Sequence, residues 1–215
     1  MSIVIIGQGG HSKVIADLIH FNGDHSIIGY FDDKYEDFMI EDNIFYGPVT
    51  TSIELLNFFD EIKFVIAIGD NKLRQKIVQK LGLSNDHYIS LIHNTAIVSP
   101  SVRVGHGTVI MANTVIQADT EIGHHSIINT KSVIEHDNQI GDFVHVCPNA
   151  TLTGTVQLEN GVQVGAGATV IPNIAIGEWA IIGAGASVIN NIPANSTAVG
   201  IPAKVNSKML EGEYK

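Results

Sequence analysis

The chain has 215 residues, 45% of them hydrophobic, and a formal net charge of −10 at pH 7. This apolar content suffices for a sizeable core, whereas the negative charge argues against nucleic acid or an anionic membrane surface as the main partner. Because Cys147 is the only cysteine, and neither a secretory signal nor an apolar run near the ~18 residues of a membrane span is found, we expect a cytoplasmic protein without disulfides.

The first ninety residues follow the pattern of a small α/β unit. Residues 3–6, IVII, are an apolar run of strand type, and residues 7–20 continue as a glycine turn and a helix. SIIGYFDD (26–33) predicts a second strand, and KFVIAIGDN (63–71) predicts a third, which precedes a helix over 72–83. We therefore predict a Rossmann-like domain over residues 1–90.

A strict period of six begins after residue 90. Every sixth residue from Ile92 to Val188 is Ile, Val or Leu, and the residue two positions earlier is mostly small or β-branched. A hexapeptide β-solenoid explains this period, with one short strand per hexad and three hexads per coil. We predict a parallel β-helix domain with a C-terminal tail over residues 91–215.

The glycine turn at residues 7–10 favours phosphate binding, because it lets a phosphate approach backbone N–H groups at the positive end of the following helix. GQGGHS lacks the last glycine of the dinucleotide fingerprint, which argues against NAD. Asp32 and Asp33 end the second strand, where carboxylates can accept hydrogen bonds from a ribose or uracil. A purely structural turn and a solvent-exposed acidic turn are the alternatives.

The whole chain resembles the hexapeptide-repeat sugar acetyltransferases typified by the sialic acid O-acetyltransferase and by the UDP-4-amino-sugar N-acetyltransferase of bacillosamine synthesis. Within that family it is most similar to the exopolysaccharide-cluster enzymes of bacilli. The segments that carry the resemblance are IIGQGGHSKVIADLI (5–19), YFDD (30–33), VIAIGDN (65–71), IINTKSVIEHDNQIGDFVHVCPNATLTG (127–154), VGAGATVIPN (164–173), IIGAGASV (181–188) and AVGIPAK (198–204).

The resemblance implies a left-handed parallel β-helix, a homotrimer with active sites between subunits, acetyl-CoA as co-substrate and a nucleotide-linked amino sugar as acceptor. The product would serve surface-glycan or exopolysaccharide synthesis, and so biofilm formation. In the family, the residues that contact the nucleotide-sugar match Gly9, Gly10, His11, Asp32, Asp33 and Gly69 of this chain.

His136 is the candidate general base. The eighteen-residue stacking places it beside Ala118 and Gly154 on the neighbouring coils, and histidine as a residue type is suited to remove a proton from the acceptor because imidazole titrates near neutral pH. By resemblance the matching histidine is the base, and the acid after it, here Asp137, raises its basicity; Glu135 is an alternative partner. The backbone N–H of Gly154 is the candidate oxyanion donor. An exposed corner without a role is the alternative for His136.

The cofactor is expected along a strip of small residues. VGAGATVIPN and IIGAGASV stack one coil apart, so Ala166, Gly167, Ala184 and Gly185 can form a smooth path for a pantetheine arm, although tight coil packing also favours small residues there. By resemblance His145, half a coil after His136, faces the thioester of acetyl-CoA; a histidine at the core edge without a role is the alternative. Lys204 of GIPAK could meet a CoA phosphate.

We therefore predict an N-acetyltransferase that acts on UDP-4-amino-4,6-dideoxy-N-acetylglucosamine or a close relative, by direct transfer without an acyl-enzyme. Two other functions remain open, namely O-acetylation of a sialic acid and a non-catalytic scaffold that binds a nucleotide-sugar. A carbonic-anhydrase-like zinc site would need converging histidines. Because His124, His136 and His145 occupy different positions of the coil, we expect no metal.

Overall fold

A five-stranded sheet flanked by helices forms the first part of the chain. The structure is a computed structural model that describes residues 1–206, so the end of the predicted tail, residues 207–215, lies outside the described residues. The sheet order is β3-β4-β2-β1-β5, and its strands are parallel except for β3. The elements are β1 (Ser2–Ile6), α1 (Gly10–Asn22), β2 (Ser26–Phe31), β3 (Met39–Glu41), β4 (Ile44–Gly47), β5 (Ile62–Ile66) and α2 (Asn71–Leu81), with 3₁₀ helices at Val49–Asn57 and Asn85–His87.

Strand β1 is buried on both faces, which explains its continuous apolar sequence. Ile3 and Ile5 pack on the side of α1, whereas Val4 and Ile6 pack on the side of α2 and the longer 3₁₀ helix. The three predicted strands and both helices are therefore present, although β5 ends at Ile66, earlier than the sequence pattern suggests. The hairpin of β3 and β4 was not expected from the sequence.

Two-residue strands recur once per hexad through the second part of the chain. They stack into three sheets, which we call face 1 (β6, β9, β12, β15, β18, β21, β23, β24), face 2 (β7, β10, β13, β16, β19, β22) and face 3 (β8, β11, β14, β17, β20). The strands are β6 (Leu91–Ile92), β7 (Ile97–Val98), β8 (Arg103–Val104), β9 (Val109–Ile110), β10 (Val115–Ile116), β11 (Glu121–Ile122), β12 (Ile127–Ile128), β13 (Val133–Ile134), β14 (Gln139–Ile140), β15 (His145–Val146), β16 (Thr151–Leu152), β17 (Gln157–Leu158), β18 (Gln163–Val164), β19 (Thr169–Val170), β20 (Ala175–Ile176), β21 (Ile181–Ile182), β22 (Ser187–Val188), β23 (Thr197–Val199) and β24 (Lys204–Val205).

The aliphatic residue of each hexad points into the solenoid core. From Ile110 to Val188 these side chains are at most 4% exposed, which confirms the six-residue pattern as a core pattern. Ile92, in contrast, is 39% exposed. Its strand β6 pairs only with β9 within residues 1–206, so no further coil covers it.

The α/β part covers the first coils of face 1. Leu91, Val109 and Ile127 point outward from face 1 and belong to one buried apolar cluster with Leu18 and Ile19 of α1. Burial of these apolar side chains on both sides holds the two parts together and fixes where the sheet edge lies relative to the solenoid. None of the helices within residues 1–206 has the length and apolar character that crossing a bilayer requires.

Candidate active site

A cavity of about 390 Å³ opens at the carboxyl ends of β1, β2 and β5. The ends of parallel strands meet at one sheet edge, and this is where ligands bind in open α/β sheets. All six residues that the resemblance assigns to the nucleotide-sugar line the cavity, namely Gly9, Gly10, His11, Asp32, Asp33 and Gly69. Their contact with a ligand stays a prediction.

The glycine turn leaves the start of α1 open. Gly7 has φ +94°, and a Cβ there would lie 2.8 Å from Cγ1 of Ile68, so only glycine fits. The N-cap residue Gly9 makes no side-chain cap, and the first turn of α1 holds no acidic residue. The start of this helix therefore lines the cavity through Gly9, Gly10 and His11, and no side chain of its own N-cap or first turn neutralises its positive end.

Both aspartates at the end of β2 support the cavity wall. Asp32 accepts hydrogen bonds from the backbone N–H of Gln8 (2.6 Å) and of Lys34 (3.0 Å). Asp33 accepts from Nζ of Lys80 (2.8 Å) and from the N–H of Val49 (3.1 Å), and the Lys80 hydrogen bond is the main cause that lowers the pKa of Asp33. Since an ionised carboxylate has about four acceptor positions, each can still accept from a ligand.

His145 lies beside the cavity, on the outer side of face 1. Its ring nitrogen Nε2 is 3.0 Å from Nδ2 of Asn129, whose Oδ1 accepts from the N–H of Thr130 at 2.8 Å. This orients the amide so that Nε2 of His145 accepts, and the proton of the neutral ring resides on Nδ1. A hydrogen bond to the Gly69 backbone ties the ring to the cavity lining.

Burial keeps two histidines neutral here. It lowers the pKa of His145 to about 4, with smaller contributions from the charges of Arg74 and His11. Burial, and then the charge of Arg74, likewise lowers the pKa of His11 to about 4. Nε2 of His11 is buried and has no hydrogen-bond partner among residues 1–206. Both rings are therefore neutral near pH 7 and can accept or donate a hydrogen bond.

His136 occupies the corner between faces 2 and 3, in the turn after β13. Its Nδ1 is 2.7 Å from Oδ2 of Asp137, so the structure pairs it with Asp137 and not with Glu135. Asp137 adopts φ +59°, and its N–H donates to the carbonyl of Ala118 on the preceding coil (3.0 Å). Nε2 remains free for a ligand, because the side chain of His136 is 60% exposed.

The ring of His136 packs against Gly154 on the next coil. A Cβ at residue 154 would lie 2.7 Å from Cε1 and 2.8 Å from Nε2 of His136. The ring therefore rests directly on the glycine backbone, as the stacking of eighteen-residue coils predicts. Within residues 1–206 the Gly154 N–H donates to no acceptor, which leaves it available for an oxyanion.

The strip of small residues forms at the corner between faces 1 and 2. Gly167 and Gly185 both have φ +67° and open space where a Cβ would point, and the N–H of Gly185 donates to the carbonyl of Ala166 at 2.9 Å. Ala166 and Ala184 are exposed beside them. Lys204, in β24, is exposed at the end of face 1.

Comparisons with known proteins agree with this architecture. Residues 2–81 match the PglD N-terminal domain, and residues 155–190 match the bacterial transferase hexapeptide repeat. A perosamine N-acetyltransferase from Caulobacter crescentus, solved as a histidine-to-asparagine mutant with CoA and GDP-perosamine, superimposes with a TM-score of 0.86 at 35% identity over 96% of this chain and 97% of that chain. The chain belongs to the PglD-type family of hexapeptide-repeat sugar N-acetyltransferases.

Two further relatives support this membership. The acetyltransferase domain of PglB from Neisseria gonorrhoeae, solved with acetyl coenzyme A, superimposes with a TM-score of 0.83 at 32% identity over 95% of this chain and 98% of that one. The UDP-N-acetylbacillosamine N-acetyltransferase of Bacillus subtilis is 47% identical over 111 residues, which are 52% of this chain and 51% of that protein. The chain thus spans about half the length of this curated relative.

Membership in the PglD-type family confirms the predicted fold class, a small α/β unit followed by a left-handed parallel β-helix. The single chain nevertheless separates the predicted site residues. The cavity and His145 lie on the face 1 side, whereas His136, Asp137 and Gly154 lie at the opposite edge of face 2. No group of three or more His, Cys, Asp or Glu side chains that could hold a metal ion exists among residues 1–206.

Sequence reasoning missed Asn129 and Arg74. Asn129 looks like an ordinary polar turn residue of the repeat, and its only signal is that it directly follows β12, the strand that lies one coil before the strand of His145. Arg74 looks like one of several basic residues on α2, yet it is only 1% exposed. Burial of such a long charged side chain depends on the docking of α2 onto the solenoid, which the sequence pattern does not reveal.

Proposed function

We propose that the protein transfers the acetyl group of acetyl-CoA to the amino group of a nucleotide-linked 4-amino sugar, UDP-4-amino-4,6-dideoxy-N-acetylglucosamine or a close relative. The observation that carries the proposal is the pairing of His136 with Asp137 against the backbone of Gly154, in a chain of this family. We assign the reaction to the cytoplasm, and its product to a surface glycan or exopolysaccharide.

In the proposed mechanism Asp137 accepts a hydrogen bond from Nδ1–H of His136, which keeps the proton of the neutral ring on Nδ1 and leaves Nε2 unprotonated as the base. The sugar amine attacks the thioester carbonyl, and Nε2 removes a proton from the attacking nitrogen. The Gly154 N–H donates to the oxyanion of the tetrahedral intermediate. When the intermediate collapses, the C–S bond breaks, and the imidazolium of His136 returns the proton to the departing thiolate of CoA. No acyl-enzyme forms.

The two substrates are assigned to different edges of the molecule. The nucleotide-sugar would occupy the cavity at the sheet edge, with its phosphates at the open N-terminus of α1. The pantetheine arm of acetyl-CoA would lie along Ala166, Gly167, Ala184 and Gly185, with Lys204 near a phosphate. His145, which is neutral and borders the cavity, would face the thioester.

We also propose a homotrimer in which neighbouring solenoids complete each site. Face 2 supports this, because the outward residues of its strands carry no charge: Ile97, Val115, Val133, Thr151, Thr169 and Ser187. The outward residues of face 3 are more polar, and Arg103 there pairs with Glu121. Face 2 is bordered by the His136 corner on one side and by the small-residue strip on the other. Burial of face 2 between subunits would therefore bring these two parts of the proposed site together.

The test is release of CoA from acetyl-CoA with a panel of UDP-, dTDP- and GDP-linked 4-amino sugars, with CMP-sialic acid and free sialic acid as hydroxyl acceptors. The proposal expects turnover with a nucleotide-linked amino sugar and none with the sialic acids. Turnover with a sialic acid alone would establish the O-acetyltransferase instead. Failure of CoA to bind in a titration would favour the non-catalytic scaffold.

A further inference from the structure

Arg74 is the most buried charged side chain that the proposed mechanism does not use. It lies on α2 at 1% exposure, and its guanidinium reaches both parts of the molecule. It donates to the carbonyl oxygens of Ile68 (2.8 Å), Gly69 (3.1 Å), His125 (2.7 Å), Phe143 (2.9 Å) and Val144 (3.4 Å), and to Oδ1 of Asn71 (2.7 Å).

The acceptors of Arg74 belong to two different parts of the molecule, the α/β part and the solenoid. Nη1 holds the carbonyls of Ile68 and Gly69, which line the cavity directly after β5. Nε and Nη2 hold solenoid carbonyls, among them that of Val144, the residue before His145 on face 1. One rigid planar group thus spans the distance between the cavity lining and the strand of His145.

A cation at this depth is costly, because its water shell is replaced by neutral oxygens and no carboxylate within residues 1–206 hydrogen-bonds it, although the charge of Asp70 favours the charged form. Burial lowers the pKa of Arg74 to about 9, so the group stays charged near pH 7. An aliphatic residue would avoid this cost but would leave the carbonyls of Ile68, Gly69 and His125 without a donor. A planar fork of donors can pair with carbonyls of both parts at once, which points to a geometric task.

The neighbouring Asn71 strengthens the same contact. Its Nδ2 donates to the carbonyls of Gly161 (3.1 Å) and Val162 (3.3 Å), while its Oδ1 accepts from Arg74. Asp70 caps α2 by accepting from the N–H of Leu73 at 2.7 Å. The first turn of α2 is thus fixed to the solenoid on one side and to the cavity lining on the other.

We propose that Arg74 is a positioning residue that sets the Ile68–Gly69 segment of the cavity in register with the strand that carries His145. The proposal rests on the assignment of this cavity to the nucleotide-sugar. Arg74 touches no substrate and acts through the backbone of the Ile68–Gly69 segment. Its loss should therefore weaken binding of the nucleotide-sugar much more than binding of acetyl-CoA.

The experiment compares Arg74→Lys and Arg74→Met with Lys76→Met, which removes a charge from an exposed position of the same helix. Arg74→Lys keeps the charge but cannot bond both sets of carbonyls. We expect KM for the nucleotide-sugar to rise about tenfold or more in Arg74→Lys, with KM for acetyl-CoA within about twofold of wild type. Lys76→Met should leave both constants unchanged. A folded Arg74→Lys enzyme with an unchanged KM for the nucleotide-sugar, or with both constants raised equally, overturns the proposal.

A second measurement does not depend on turnover. Hydrogen exchange of the amides at 67–71 should be about tenfold faster or more in Arg74→Lys, with exchange in the distant strands of face 3 unchanged. Unchanged exchange at 67–71 overturns the proposal even where wild type acetylates none of the sugars. If Arg74→Met does not fold, the test rests on Arg74→Lys alone. The fluorescence emission of Trp179 then reports whether the solenoid of Arg74→Lys is intact, because the Trp179 ring packs on Gly161.

Discussion

At the scale of single residues, the environment of Cys147 argues against a covalent mechanism. The thiol is half-buried at the corner that leads to the small-residue strip, and burial raises its pKa to about 11. A thiol in that state is a poor nucleophile near pH 7, because the thiolate is the reactive form. We expect Cys147→Ser to retain kcat within about threefold in the CoA-release assay. A loss of activity in a folded Cys147→Ser protein would contradict direct transfer.

A second residue-scale prediction concerns His125. Its ring is 1% exposed, stacks on Phe143 and meets Tyr88 edge-on, and neither ring nitrogen has a hydrogen-bond partner within residues 1–206. Burial is the main cause that lowers its pKa to about 4, so between pH 6.5 and about 4 the unfolded chain binds a proton that the folded chain does not. This residue therefore costs stability as the pH falls, by about 2 kcal/mol at pH 5.

The measurement is the free energy of unfolding of wild type and His125→Phe in denaturant at pH 7.5 and pH 5. An apolar ring at this position removes the titrating group, so the variant should lose less stability than wild type between the two pH values. His20→Ala, at an exposed histidine of α1, is the control and should follow wild type. An equal loss for wild type and His125→Phe would show that His125 does not titrate in this range.

At the scale of elements, the hexad pattern predicted nearly all of the solenoid. Each coil must bury one aliphatic side chain per face, so the aliphatic residues recur in the sequence with the period of the coil packing. The contact of His136 with Gly154 also followed from the stacking of coils. The hairpin of β3 and β4 was not predicted from the sequence, because β3, Met39–Glu41, is a short exposed edge strand without alternating burial. The partners of Arg74 and Asn129 depend on docking between elements, which no local pattern encodes.

The contact between consecutive coils at Gly154 gives an element-scale prediction. A Cβ at this position would press on the His136 ring, so Gly154→Ala should shift the ring away from Asp137 and lower kcat by about tenfold or more. The backbone N–H remains in the variant, and KM for the nucleotide-sugar should change little. The measurement is a cycle of kcat values for Gly154→Ala, His136→Ala and the double variant. If Gly154→Ala lowers kcat as much in the His136→Ala background as in wild type, it does not act through His136.

At the scale of the whole molecule, the sequence proposed a set of candidate site residues but did not indicate how they are placed relative to one another. The half-coil between His136 and His145 implied different faces, and the structure has them on opposite sides of face 2. The cavity at the sheet edge was foreseeable from strand ends, because parallel strands place their carboxyl ends together. The position of the cavity relative to His136, in contrast, is set by the docking of α1 onto face 1. That docking depends on apolar contacts between residues far apart in the chain.

Self-association through face 2 can be tested with one charge. Val133 points outward from β13 and is half-buried in the single chain, so a glutamate there would have to lose its water in a subunit interface. We expect Val133→Glu to lower the molecular mass in light scattering to that of one chain, and to abolish turnover without loss of fold. Gln139→Glu introduces the same charge on face 3 and should keep the assembly and the activity. An intact, active assembly of Val133→Glu would exclude face 2 as the interface.

A site shared between subunits also predicts that two impaired variants restore each other. His136→Ala removes the base, whereas Gly10→Asp places a carboxylate at the open start of α1, where a phosphate would bind; a Cβ there meets nothing within 4 Å, so the fold should persist. In trimers reassembled from equal amounts of both chains, about a quarter of the sites combine an intact cavity from one subunit with an intact His136 from its neighbour. The CoA-release assay should therefore recover activity on mixing, whereas each variant alone keeps only a small residual activity. If mixing restores nothing although mass spectrometry shows mixed trimers, the cavity and His136 of one site belong to the same chain.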